Sequence, residues 1–129
     1  ALIGDQTFLY DSNGLLAPAE EDRPDLVIVV PDNDGGGIFS TLEQAGATAA
    51  STFDRVFGNP LGIDIAEVAS SLGISAVTVD SATALTSALE DALGAGGVRV
   101  VVARTCSRER EAEILSEVQR AVGSALESA

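Results

Sequence analysis

Apolar residues along this chain fall into two rhythms. The first is a set of short, nearly unbroken runs: "DLVIVV" at 25–30, "ISAVTV" at 74–79 and "VRVVVA" at 98–103. Unbroken β-branched runs of this length predict strands buried on both faces, the pattern of a parallel sheet. Ala1 to Ile3 reads as the end of one more buried strand, with Gly4-Asp5 turning out of it, and Pro31 is expected to end the strand that starts at residue 25. The second rhythm has helical spacing. Ile65, Val68, Ala69 and Leu72 share one face behind Asp64, with Glu67 three residues on as in a capping box. Gly73 suits the stop of that helix. Leu85, Ala88, Leu89, Ala92 and Leu93 follow a capping Ser81, and "GAGG" at 94–97 ends them. Ile114, Leu115, Val118, Ala121 and Val122 form the stripe of a last helix over about 108–124, read as a core-facing side. Between these, "DSNGLLAPAEED" predicts a short helix near 11–20 and "IFSTLEQAG" another. "ATAASTFDRVFGNP" reads as irregular, with an apolar pair at Phe53 and Phe57.

Strands alternating with helices predict an α/β fold: a mostly parallel sheet with helices on both faces. Ligands of such sheets sit outside the carboxyl ends of the strands. At 129 residues the chain has the size of one domain, 1–129. The opening "ALIGD" starts in the middle of an expected strand, as a piece of a longer chain would.

The net charge of −13 repels phosphate backbones and anionic lipid, so no nucleic-acid partner is expected. No apolar run approaches membrane-spanning length, so no membrane insertion is expected either, and the chain reads as cytoplasmic. With one cysteine and no histidine, an internal disulfide and a Ser-His-Asp or Cys-His nucleophile are impossible. A Cys/His zinc site is close to excluded. Cys106, flanked by Arg104 and Arg108, is read as an inert loop cysteine rather than a reactive thiolate. The run Arg108-Glu109-Arg110-Glu111 is read as a solvated helix start, and Glu20, Glu21 and Asp22 as surface loop.

Chemistry gathers at two strand ends. Gly4-Asp5 follows one strand and "PDNDGGGIF" at 31–39 follows the next. In a parallel sheet both loops emerge on the same edge, so Asp5 and Asn33 can face each other. A carboxylate, an amide oxygen and a bare carbonyl are hard donors that suit Mg²⁺, which takes its other ligands from water and phosphate. The glycines permit positive φ and close approach, and successive N–H groups can bind an anion. One reading is therefore a cation held by the polar triplet, a diphosphate beside the glycines and Ile38-Phe39 against an apolar part of a ligand. The other is an ordinary acidic turn with Ile38 and Phe39 as core. On spacing alone the turn is the commoner of the two. No P-loop or dinucleotide fingerprint is present.

The two loops taken together shift that balance. "GDQTFLYDSNGLL" followed by "VIVVPDNDGGGIF" resembles the signature of the thiamine-diphosphate-dependent enzymes. The wording "FLYDSNGLL", "NDGGGIFSTLEQ" and "FDRVFGNPLGIDIAEVASSLGI" is most similar to that family's menaquinone-pathway synthases. The resemblance implies the diphosphate-domain fold, lacking its first part. It implies metal ligands at Asp5 (carboxylate), Asn33 (side-chain oxygen) and Gly35 (main-chain carbonyl), holding Mg²⁺ or Mn²⁺. Thiamine diphosphate would meet Gly4, Asp5, Gln6, Asn33, Gly35, Gly36, Ile38 and Phe39. The implied reaction decarboxylates 2-oxoglutarate and joins the four-carbon remnant to isochorismate, as a transferase of vitamin K2 biosynthesis. It implies as partners an N-terminal domain of the same enzyme, bearing a glutamate, and a second subunit, so that the chain alone is inactive and carries no catalytic residue. Asp32 departs from the family's usual asparagine, Asn59 and Leu61 from threonine and histidine, and Tyr10 from histidine. An acetolactate-type or other 2-oxoacid decarboxylase stands as an alternative, disfavoured by GGGIF. A stand-alone, non-catalytic α/β module is the alternative from another class.

Overall fold

The structure is a computed structural model and describes residues 1–128. The chain packs as two compact units: Ala1–Asn33 with Gly62–Thr105, and Asp34–Leu61 with the segment from Cys106 on.

The first unit is an α/β sandwich. Its elements are α1 (Asp5–Asp11), β1 (Leu26–Asp32), α4 (Ile65–Ser71), β2 (Ser75–Val79), α5 (Ala82–Ala95) and β3 (Val98–Arg104). The three strands form a parallel sheet in the order β1-β3-β2. Leu26 pairs with Val98 and Asp32 with Arg104, while Ser75 pairs with Arg99 on the other side of β3. One face carries Ile28, Val30, Val100 and Val102, closed by Phe8 of α1 and by Ile65 and Ala69 of α4. Helix α5 lies against the other face. Burying each such side chain contributes about 1.5–3 kcal/mol, so this layer is the source of the unit's stability.

The strand expectations hold with three differences. Only the central strand is buried on both faces, since Val100, Val101 and Val102 are all inaccessible. β1 alternates and β2, at an edge, is largely exposed. Pro31 does not end β1, which runs to Asp32. The reason is the direction of the missing N–H. Val29 donates to the Ala1 carbonyl and accepts from the Ile3 N–H, whereas Asp32 accepts from Thr105. Odd positions of β1 thus point away from β3, and Pro31 removes no bond to its neighbour. Ala1 to Ile3 does pair beside β1, through a Leu2–Val29 bridge, but it is not buried: Leu2 is 72% exposed.

The helix expected near 11–20 is displaced. α1 starts at Asp5 with Gly4 as a cap that has no side chain, and a 3₁₀ turn over Ser12–Leu15 ends it. Asp11, Ser12 and Asn13 are read better as a stop, because short polar side chains bond nearby backbone and compete with the helix; the Ser12 hydroxyl donates to the Leu9 carbonyl at 3.2 Å. Asp64 and Ser81 do cap α4 and α5, accepting from the Glu67 and Ala84 N–H groups at 3.0 and 3.3 Å.

The second unit has no sheet among its described residues. Its elements are a 3₁₀ turn Gly37–Thr41, α2 (Glu43–Ala47), α3 (Ala50–Phe53), a π turn Asp54–Gly58 and α6 (Arg108–Glu127). The helix expected over "IFSTLEQAG" is broken at Leu42 into the 3₁₀ turn and α2. The stretch expected to be irregular is helical, with Phe53 stacked on Phe57 at 5.3 Å, one turn apart. α6 begins where expected and runs to Glu127. Its stripe is not core: Ile114, Leu115, Val118 and Val122 are all exposed.

Candidate functional site at the strand ends

Leu2 lies beside Val29 in parallel pairing, so the residues that follow each leave the sheet at the same end. Gly4-Asp5 and Asp32-Asn33 therefore occupy the carboxyl edge of neighbouring strands within the sheet unit. Asp5 is the first residue of α1 and only 7% exposed. Its Oδ1 accepts from the Gln6 N–H at 2.7 Å. A carboxylate at a helix start is favoured by the aligned N–H groups there, which explains how this charge tolerates burial. Asn33 is half-buried directly after β1. Asp32 sends its carbonyl to Thr105, which donates from both its N–H and its hydroxyl, at 2.9 and 3.2 Å.

Within the second unit the chain from Asp34 makes a tight loop. Asp34 is left-handed at φ 56°, and its carboxylate accepts from the Leu61 N–H at 3.0 Å. Gly35 has φ 138°, a region that side chains rarely enter. The Gly37 N–H donates to the Gly35 carbonyl at 2.9 Å across Gly36, whose φ −78°, ψ 67° are those of an inverse γ-turn. The Gly36 N–H donates to the Gly58 carbonyl at 2.8 Å. A Cβ on Gly35 would meet that same carbonyl at 2.3 Å, and one on Gly36 would meet the Phe57 carbonyl and the Phe39 ring at 2.6 Å. Two of the three glycines are thus required by the chain's own backbone, a reason that owes nothing to a ligand. Ile38 is 74% exposed and is not core, while Phe39 is partly covered, tilted against Phe57 at 5.9 Å.

Sequence reasoning missed the residue that anchors this loop. Arg108, expected to be solvated, is 9% exposed, and its Nη2 donates to Asp54 Oδ1 at 3.0 Å. Its Nη1 lies 1.7 Å from where a Gly58 Cβ would be. Nothing in an alternating Arg-Glu run distinguishes the buried member from its neighbours. The remaining arginine of the run does behave as a surface group: Arg110 pairs with Glu113 at 2.8 Å in an exposed helical pair. Glu109, beside the Ser107 cap, has its carboxyl held below the usual range, first by its own backbone N–H and then by the Ser107 hydroxyl. Cys106 is exposed and in no disulfide.

The donor set fits a hard cation rather than a soft one. Among the described residues no three Cys, Asp or Glu side chains gather into a metal cluster. A cation here would need amide and main-chain oxygens beside Asp5, as Mg²⁺ accepts. No helix of the described residues is long and apolar enough to cross a membrane.

Comparison with known proteins gives the family. Residues 1–103 match the family model described as "Thiamine pyrophosphate enzyme, C-terminal TPP binding domain". Among curated proteins, the chain is 46% identical over 126 residues to 2-succinyl-5-enolpyruvyl-6-hydroxy-3-cyclohexene-1-carboxylate synthase of Thermobifida fusca (strain YX), covering 98% of this chain and 21% of that protein. It is 52% identical over 79 residues to the synthase of the same name from Saccharopolyspora erythraea, covering 61% and 14%. It is 43% identical over 119 residues to that of Nocardia farcinica (strain IFM 10152), covering 92% and 22%. The chain thus spans about a fifth of the length of relatives that it matches almost from end to end. On the match over residues 1–103, the chain belongs to the C-terminal TPP binding domain family of thiamine pyrophosphate enzymes.

Proposed function

We propose that this chain is most of the diphosphate-binding domain of a thiamine-diphosphate-dependent synthase that joins decarboxylated 2-oxoglutarate to isochorismate in menaquinone biosynthesis. The observation that carries the reading is the parallel Leu2–Val29 bridge, which sends Asp5 and Asn33 off the same edge of one sheet. The substrates are those that the sequence resemblance implies, and the shared name of the three relatives supports that choice of synthase.

In this reading Asp5 gives a carboxylate oxygen, Asn33 its amide oxygen and Gly35 its main-chain carbonyl to Mg²⁺ or Mn²⁺. The Gly35 carbonyl accepts from the Gly37 N–H at 2.9 Å. Asp32 adds negative charge near that ion and strengthens the hold on a divalent cation. Gly4 and Gln6 face the cofactor with backbone or amide groups, while Gly36, whose N–H and carbonyl bond to Gly58 and Phe39, shapes the loop beside it. Ile38 keeps its apolar side chain out of the core, which supports a role in covering a ligand and excluding water. Thiamine diphosphate, when bound, supplies the decarboxylating and carbon–carbon bond-forming chemistry, and the protein binds and orients it. The glutamate that activates the cofactor ring comes from an N-terminal domain of a second subunit. The chain alone is therefore inactive, and the enzyme works as a homo-oligomer.

The test is calorimetric titration of the complete enzyme with thiamine diphosphate and Mg²⁺. Asp5→Ala is expected to weaken binding roughly a hundredfold, as loss of a metal-site group does. Equal affinities in wild type and variant would reject the metal assignment.

A further inference from the structure

Arg108 lies outside the residues that the family model matches, 1–103, and nothing in the implied chemistry assigns it a part. Its geometry does. The guanidinium occupies the space that a side chain on Gly58 would fill, and Gly58 in turn accepts the Gly36 N–H. Arg108 Cδ lies 3.5 Å from where a Gly35 Cβ would be, so the same side chain also bounds the space beside Gly35. Asp54, at the start of the π turn that ends in Gly58, holds the guanidinium at 3.0 Å. An ion pair at the surface is worth little. Here the guanidinium is buried although Asp54 is half-exposed, and a buried charge stripped of its partner is costly. The pair therefore fixes the Gly58 turn, and the Gly58 carbonyl fixes the loop.

We propose that Arg108 is a positioning residue for the diphosphate loop: it locks Gly35–Gly37 onto Gly58 and sets the loop's shape before any cofactor arrives. The loop then loses little freedom on binding, and affinity gains from that preorganisation. This rests on the reading of residues 33–39 as the cofactor loop.

The experiment uses the complete enzyme as wild type, Arg108→Gln, Arg108→Lys and Asp54→Asn. Amide hydrogen exchange over residues 35–39 is followed without cofactor, and thiamine diphosphate affinity is measured by calorimetry at fixed Mg²⁺. In Arg108→Gln, exchange over 35–39 is expected to quicken about tenfold while that over 98–104 stays unchanged, and affinity is expected to fall about tenfold, the scale of a charged hydrogen bond. Arg108→Lys should recover part of both, and Asp54→Asn, which keeps its shape and so guards against misfolding of the first variant, should show a smaller change of the same sign. Unchanged loop exchange, or wild-type affinity in Arg108→Gln, overturns the proposal. A wild type that binds no thiamine diphosphate sinks the cofactor reading and the positioning role with it, while loop exchange still reports whether the bracing exists.

Discussion

The two units of this chain are held together by opposite means. In the sheet unit, side chains fill space: Phe8, Ile65, Val30 and the three central valines of β3 are almost wholly inaccessible. In the other unit, the contacts that decide the loop come from side chains being absent. Gly35 and Gly36 press their backbone onto Phe57–Gly58, and the one large group admitted is the Arg108 guanidinium over Gly58. The difference teaches where each kind of region can be altered. A packed layer tolerates exchange of one aliphatic for another of similar volume. A backbone-on-backbone contact tolerates nothing larger than hydrogen.

The comparison can be broken or sharpened by substitution. The largest effect is expected from Phe8→Ala, which empties the centre of the sheet layer and should cost about 3–5 kcal/mol in urea unfolding. Hydrogen exchange should quicken over 26–32 and 98–104 first. Were exchange to quicken first over 35–39 instead, the two units could not be regarded as separately stabilised. Next comes Gly35→Ala. It adds a Cβ at 2.3 Å from a carbonyl and forces a non-glycine residue to φ 138°; about 2–4 kcal/mol should be lost, and loop exchange should rise. A stability equal to wild type would show that the loop is not closed on Gly58.

The smallest effect belongs to the first turn of α6, where electrostatics rather than packing acts. Glu109 titrates below its ordinary 4.5 in the folded chain. The unfolded chain therefore takes up its proton at higher pH, so this contribution is complete above that ordinary value and is lost as pH falls through the folded one. Glu109→Gln should remove only a few tenths of a kcal/mol, because the group is exposed. Its stability curve should run below that of wild type at neutral pH and meet it in acid. Parallel curves across the whole range would mean that Glu109 contributes nothing through its charge.

How much of this was legible in the letters follows the same division. The strands at 26–32, 75–79 and 98–104 were readable because β-branched runs have one use in a sheet of this kind. The caps Asp64 and Ser81 were readable because their partners lie three residues away. α1 was misplaced because its cap, Gly4, carries no side-chain signal. The helical turns at 50–58 were missed because neither has a capping side chain, and their stabilising contact is an aromatic stack. The apolar stripe of α6 was legible as a stripe, but amphipathic spacing does not say whether anything covers it.

The candidate site divides in the same way. Taken alone, the letters determined the α/β alternation, the hard-oxygen character of Asp5, Asn33 and the glycine loop, and the family resemblance, because residue types and their order carry those. Only the tertiary structure decided that Pro31 stays within β1, that Gly35 and Gly36 are bare to admit Gly58, and that Arg108 is the buried arginine of an otherwise solvated run. Those outcomes depend on which backbone atom faces which neighbour across dozens of residues, a quantity with no periodicity for a one-dimensional pattern to record.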